Sequence, residues 1–191
     1  MNYTQQVQQN EWAFEYVPEQ FKTIELCELA VQQNGYALKY TPKHLITKEL
    51  CELAIQQDGY ALSFVPEHLI TAELCMIAVQ KNGFALQYTP KQHKTAELCM
   101  AAIQQTGYAV HFVPEQHTTA ELCMAAVQQD GYALQHVPKQ LRTYELCKLA
   151  IDNYGSAIQF VPEEFRTYET CLTAVTKTSW AFDYIPDQYK I

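Results

Sequence analysis

Seven cysteines recur at Cys27, Cys51, Cys75, Cys99, Cys123, Cys147 and Cys171, each 24 residues after the last. Thiolates bind soft metals, exchange disulfides and relay redox equivalents, so this row is the first place to look for chemistry. Six histidines accompany it. His44 and His68 share one place in the spacing, His93 and His117 the next place, and His111 and His136 stand apart from both. Neighbouring imidazoles could share a metal. Neither row completes a site, however. No C-x-x-C pair is present to open a zinc site, and nothing supplies a third ligand to any histidine pair. An odd, evenly spaced set of cysteines is not a disulfide framework. Equivalent positions one helix spacing apart, roughly 8–10 Å, also lie beyond the ~7 Å Cα–Cα reach of a disulfide. The expected roles are buried, reduced thiols and solvated histidines in turns. No paired carboxylates, nucleophile elbow or phosphate loop is recognisable. The sequence therefore predicts a chain that is not an enzyme, with no catalytic residues, no cofactor and no metal.

Two aromatic rows follow the same spacing. One is Trp12, Tyr36, Tyr60, Phe84, Tyr108, Tyr132 and Trp180. The other is Tyr16, Tyr40, Phe64, Tyr88, Phe112, Phe160 and Tyr184, with His136 in its gap. Such rows can stack nucleic-acid bases or pack between repeats. The net charge of −8 and the lack of interleaved arginine favour packing.

What positions all of these rows is a repeat. From Thr23 the unit TIELCELAVQQNGYALKYTPKHLI runs to Ile46, and it returns from Thr47, Thr71, Thr95, Thr119, Thr143 and Thr167 without insertion or deletion. Each copy opens on a threonine suited to N-capping. A glutamate follows two residues later, where the helix dipole favours negative charge. Leu26, Cys27, Ala30 and Val31 lie on one helical face. The spacing predicts a helix over Ile24 to Asn34, ended by Gly35 in the left-handed C′ position. Pro42 restrains the residue before it, so a second helix has room for about five residues, Tyr36 to Tyr40. Pro42 itself is expected at N1 of one more short turn, partly 3-10.

Such a unit cannot bury its apolar face alone, whereas stacked copies can. The expected fold is all-α, a solenoid of about seven and a half repeats in one domain over 1–191. Residues 1–22 form an N-terminal capping partial repeat, 23–166 six regular repeats and 167–191 a C-terminal capping repeat.

The pattern T-x-E-L-C-x-x-A-[VI]-x-x-x-G-[YF]-A-[LV]-x-[YFH]-[VT]-P resembles the repeats called domain of unknown function 4116, over essentially the whole chain. Ser156 departs from it at the aromatic place, and the last repeat departs at Thr170, Ser179 and Trp180. The resemblance implies tandem arrays of the kind found in bacterial proteins, some of them suspected host-directed effectors. It implies no reaction and no catalytic residue. The architecture is also similar to leucine-rich variant repeats, which alternate an α-helix with a 3-10 helix.

No apolar run approaches the ~18 residues that span a bilayer, and the N-terminus lacks the charged and apolar regions of a signal peptide. With free thiols, this predicts a cytoplasmic protein without membrane contact. Nucleic acid is not the expected partner, because clustered Lys and Arg are missing.

The remaining signal is variation in blocks. The second and sixth positions of the repeat read Lys48/Glu52 in repeat two and Tyr144/Lys148 in repeat six. In repeats three to five they read Ala72/Met76, Ala96/Met100 and Ala120/Met124. Charged residues in the flanking repeats predict that these positions meet solvent. Three methionines in succession would then make an adaptable apolar stripe. The competing reading is packing, with Ala101 and Ala125 making room for methionine. The loops holding Lys43, Glu67, Lys91, Glu115 and Lys139, of alternating charge, are the second candidate. The function expected is a protein-binding scaffold or stoichiometric inhibitor, such as a bacterial effector or phage-type inhibitor of a host enzyme. The alternative is a nucleic-acid-related protein, an acidic mimic or an aromatic-platform binder. Against mimicry, formal charge changes sign from repeat two (Lys48 against Glu49, Glu52, Asp58 and Glu67) to repeat three (Lys81, Lys91 and Lys94 against Glu73).

Overall fold

Each 24-residue unit becomes one α-helix followed by two 3-10 helices. The structure, a computed structural model, describes residues 2–190. The α-helices are α1 (Tyr3–Gln9), α2 (Ile24–Gln33), α3 (Lys48–Gln57), α4 (Ala72–Lys81), α5 (Ala96–Gln105), α6 (Ala120–Gln129), α7 (Tyr144–Asn153) and α8 (Tyr168–Lys177). No strand occurs among the described residues. The chain is an all-α repeat solenoid.

The threonines cap as their position requires. Thr23 Oγ1 accepts the Leu26 backbone N–H at 3.4 Å, and Thr47 Oγ1 accepts that of Leu50 at 3.2 Å. Hydrogen bonding by its own backbone N–H, and then by the Thr23 hydroxyl, holds the Glu25 carboxyl below its ordinary value. Helix α2 ends one residue earlier than the spacing predicts. Asn34 is its C-cap, in extended conformation, and donates its backbone N–H to the Ala30 carbonyl at 2.9 Å. The Asn34 side chain then caps the following 3-10 helix, Gly35–Tyr40, by accepting the Tyr36 N–H at 2.9 Å. One extended residue thus closes one helix and opens the next.

This junction corrects two expectations. Gly35 is not in the left-handed region, because no described residue, glycine included, has positive φ. It is the first residue of the 3-10 helix. A Cβ there would lie 2.4 Å from the Ala54 carbonyl oxygen of the next repeat, so glycine answers a close approach and not a dihedral. Pro42 is likewise not N1. It caps the three-residue 3-10 helix Lys43–Leu45 from outside, with ψ of 136°, and its carbonyl accepts the Leu45 N–H at 2.9 Å.

Packing divides the chain into two compact units, Met1–Ala101 and Ala102–Ile191, with the division inside α5. In the first unit, α3 packs on α2 and on the 3-10 helix Gly35–Tyr40, and α4 packs on α3 and on Gly59–Phe64. Leu26, Cys27, Ala30 and Val31 form the buried face of α2, and Leu38 joins them from the 3-10 helix. In the second unit, α7 packs on α6 and on Gly131–His136, and α8 packs on α7 and on Gly155–Phe160. The same four places, Leu146, Cys147, Ala150 and Ile151, are buried on α7. None of the described helices is long and apolar enough to cross a membrane.

Candidate partner-binding surface

The second and sixth positions of each repeat lie one turn apart on its α-helix, on the edge of the buried arc. In α3 they hold Lys48 and Glu52, an exposed (i, i+4) ion pair at 3.4 Å. In α7 the sixth position holds Lys148, which reaches Glu169 on α8 at 3.1 Å. In the first unit, Met76 is half-buried on α4 and Met100 on α5, with Ala72 and Ala96 exposed beside them. In the second unit, Met124 is 39% exposed on α6, and Ala120 is exposed. All six side chains therefore meet solvent in some measure, at places where repeat two puts Lys48 and Glu52 and repeat six puts Tyr144 and Lys148.

Beyond Lys148, an exposed apolar residue holds the same place in the last repeat, and the sequence reading passed over it. Leu172 holds the sixth position on α8 and is 54% exposed, and Tyr168 at the second position is exposed too. Both line a cavity of about 190 Å³ with Cys171, Val175, Phe182, Ile185 and Tyr189. The signal was present in the sequence, since Tyr168 and Leu172 occupy the places of Ala72 and Met76. Reading the last repeat only as a cap hid it.

Within each unit, members of the two aromatic rows pack on each other. Tyr36 meets Phe64 edge-on at 4.9 Å, and Tyr60 meets Tyr88 at 5.9 Å. In the second unit Tyr108 meets His136 at 5.6 Å, and Tyr132 meets Phe160 at 6.2 Å. Each contact joins the first row to the second row of the following repeat. In each pair the edge of one ring meets the face of the other, a favourable arrangement for packed aromatics. Where Ser156 replaces an aromatic, Tyr154 fills in, 5.3 Å from Tyr132, and the Tyr132 and Ser156 hydroxyls hydrogen-bond.

The last position of the repeat holds a second feature not anticipated. Arg142 donates from Nε to the Val137 carbonyl at 2.8 Å, from Nη2 to Gln135 at 3.1 Å and from Nη1 to Phe160 at 2.6 Å. Arg166 repeats the arrangement with Val161, Gln159 and Tyr184. Lys22 reaches the Tyr40 carbonyl in the same way at 2.7 Å. These cations staple one repeat to the next.

The cysteines are free and buried. Burial raises their thiol pKa values, to about 11 for Cys51 and Cys147, so the nucleophilic thiolate is scarce near neutrality. The histidines are not in turns. All six lie in 3-10 helices, with His44, His68 and His111 exposed and His93, His117 and His136 half-buried. His111 and His136 come together with ring centroids 4.4 Å apart. Burial first, then His111 and Arg142, lowers the His136 pKa. No group of three or more His, Cys, Asp or Glu suited to a metal ion occurs among the described residues.

Comparison with known families gives one result. The family described as Domain of unknown function (DUF4116) matches residues 7–46, 47–94, 71–118, 96–142 and 143–190. The chain belongs to this family. Most matches span two 24-residue units, and those beginning at 47 and 71 differ by one unit (71 − 47 = 24). The family's pattern can therefore be laid on either phase of the array, as interchangeable repeats allow. No curated protein and no solved structure matches the chain.

Proposed function

We propose that this chain is a non-catalytic, protein-binding solenoid, acting as a scaffold or stoichiometric inhibitor, and that Met76, Met100 and Met124 carry much of the contact. A cytoplasmic setting, where buried thiols stay reduced, is part of this reading, and an effector or phage-type inhibitor of a host enzyme is the role such an array would suit. One observation carries the reading. Solvent reaches apolar Ala72/Met76, Ala96/Met100 and Ala120/Met124 at places where repeat two sets an exposed ion pair. Apolar surface rimmed by polar residues commonly marks an interface, and methionine adapts its shape to what it meets.

The test is a triple substitution, Met76→Glu, Met100→Glu and Met124→Glu, matching the residue repeat two already carries at Glu52. A partner is first captured with the wild-type chain, purified, and titrated against both forms. The variant should keep its fold and lose more than tenfold in affinity, about 1.4 kcal/mol. A variant that unfolds would show the methionines to be packing between repeats. One that folds and binds unchanged would move the interface elsewhere.

A further inference from the structure

Lys22, Lys39 and Lys43 line one open groove of about 560 Å³ in the first unit, with Tyr40, Pro42 and Glu19. The chain has 21 acidic residues against 13 lysines and arginines, so three lysines on one groove reverse the local sign. None of the three forms an ion pair among the described residues, whereas Lys48, Lys148 and Lys190 each do. Two of them are held by other means. Lys22 Nζ donates to the Tyr40 carbonyl at 2.7 Å. Lys39 Nζ lies 3.0 Å from the Tyr36 hydroxyl and about 5 Å from the Tyr36 and Tyr40 rings. Lys43 opens the 3-10 helix Lys43–Leu45 and is exposed.

The stack does not require this set. One repeat later the same three places hold Ile46, Ser63 and Glu67, and two repeats of the second unit hold Thr118, Gln135, Lys139 and Arg142, Gln159, Glu163. Among these, three cations coincide only in the first case. Glu19 lines the groove too, and Glu15 is close enough to act on the Tyr40 hydroxyl, so the surplus is cationic but not unopposed.

We propose that this groove binds an acidic segment of a protein partner. The segment presents several carboxylates to Lys22, Lys39 and Lys43 and rests an apolar residue on Tyr40. A shallow, open groove suits an extended chain better than an enclosed small molecule. Lysines already held over aromatic rings lose less freedom on binding than free ones. Charge complementarity at such a rim sets encounter and partner choice. The proposal rests on the protein-binding reading above but uses a different surface from the methionines.

The probe is a capped peptide, Glu-Glu-Tyr-Glu-Glu, titrated into ¹⁵N-labelled full-length chain at low salt. Amide shifts should be confined to residues 19–44, and affinity should fall several-fold between 0.05 and about 0.3 M salt. Lys39→Glu with Lys43→Glu, both exposed positions, should weaken binding at least about tenfold. A peptide with every Glu changed to Gln should give no shifts. Absence of shifts, equal shifts from the Gln peptide, the same response to inorganic phosphate alone, or stronger binding of a single-stranded oligonucleotide would each overturn the proposal. If the methionine variant loses its partner while the acidic peptide fails to bind, this inference falls and the protein-binding reading stands. If the peptide binds and the methionine variant keeps its partner, the methionine stripe falls instead.

Discussion

A Cβ placed on Gly59 would stand 2.3 Å from the carbonyl oxygen of Ala78, one repeat further along the chain. Gly155 stands in the same relation to Ala174, at 2.2 Å. The two backbones touch because nothing but hydrogen separates them, and that contact sets the repeat-to-repeat spacing. Gly59→Ala should force α4 away from its neighbour and cost about 2 kcal/mol or more, as overpacking does. A fall in Tm of several degrees is expected. An unchanged melting curve would show that the array relaxes around the methyl group.

The cysteines should resist modification. All seven are buried, and burial holds Cys51 and Cys147 near a pKa of about 11. An aromatic disulfide reagent at pH 8 should label the native protein slowly and the denatured protein completely. Fast labelling of most thiols in the native state would contradict the buried ladder.

Arg142 makes three hydrogen bonds to main-chain carbonyls, and the one to Phe160 crosses into the next repeat. Arg142→Thr, the residue found at the equivalent Thr118, should destabilise the second unit by about 2–3 kcal/mol, since charge-assisted bonds are lost. Arg142→Lys should fall between, keeping the Phe160 contact as Lys22 keeps Tyr40, but without the fork. Denaturant midpoints of the three proteins give the order. Equal midpoints would reduce the staple to decoration.

His136 gives a pH dependence whose sign is fixed by its surroundings. Its folded-state pKa lies below the ordinary 6.5, through burial, His111 and Arg142. The unfolded chain therefore binds more protons than the folded chain in this range, and stability rises with pH. Tm should fall as pH drops from 7.5 through about 6.5 toward 5. His136→Phe, the residue at Phe112 and Phe160, should flatten that slope. A slope unaltered by the substitution would assign the effect to other groups.

The α-helix N-caps and buried face were legible because they rest on local rules. Thr23 and the set Leu26, Cys27, Ala30 and Val31 follow from capping and the 3.6-residue period alone. The glycine's place was legible but its cause was not. A left-handed dihedral and a close neighbour both demand glycine, and only the position of Ala54 distinguishes them. The aromatic pairing was hidden for a different reason. Comparing like positions looks 24 residues ahead, whereas Tyr36 finds Phe64, 28 residues on. The basic column at Lys22, Lys94, Arg142, Arg166 and Lys190 is interrupted by Ile46, Ile70 and Thr118, so it did not read as a column. Of the candidate surface, Met76, Met100 and Met124 were visible as a block, and the exposed Leu172 was masked by its setting in an end repeat.

Because Gly35, Gly59, Gly107, Gly131 and Gly155 all meet an alanine carbonyl in the same manner, the same backbone junction recurs at each of these places. Loss or duplication of one copy creates no new kind of junction. At the level of the gene, a slip of 24 codons, 24 × 3 = 72 nucleotides, is in frame and keeps the glycine–carbonyl junction. Lengthening by unequal exchange is thus open to this chain, and each added copy supplies fresh edge positions on which mutation can write without disturbing the stack.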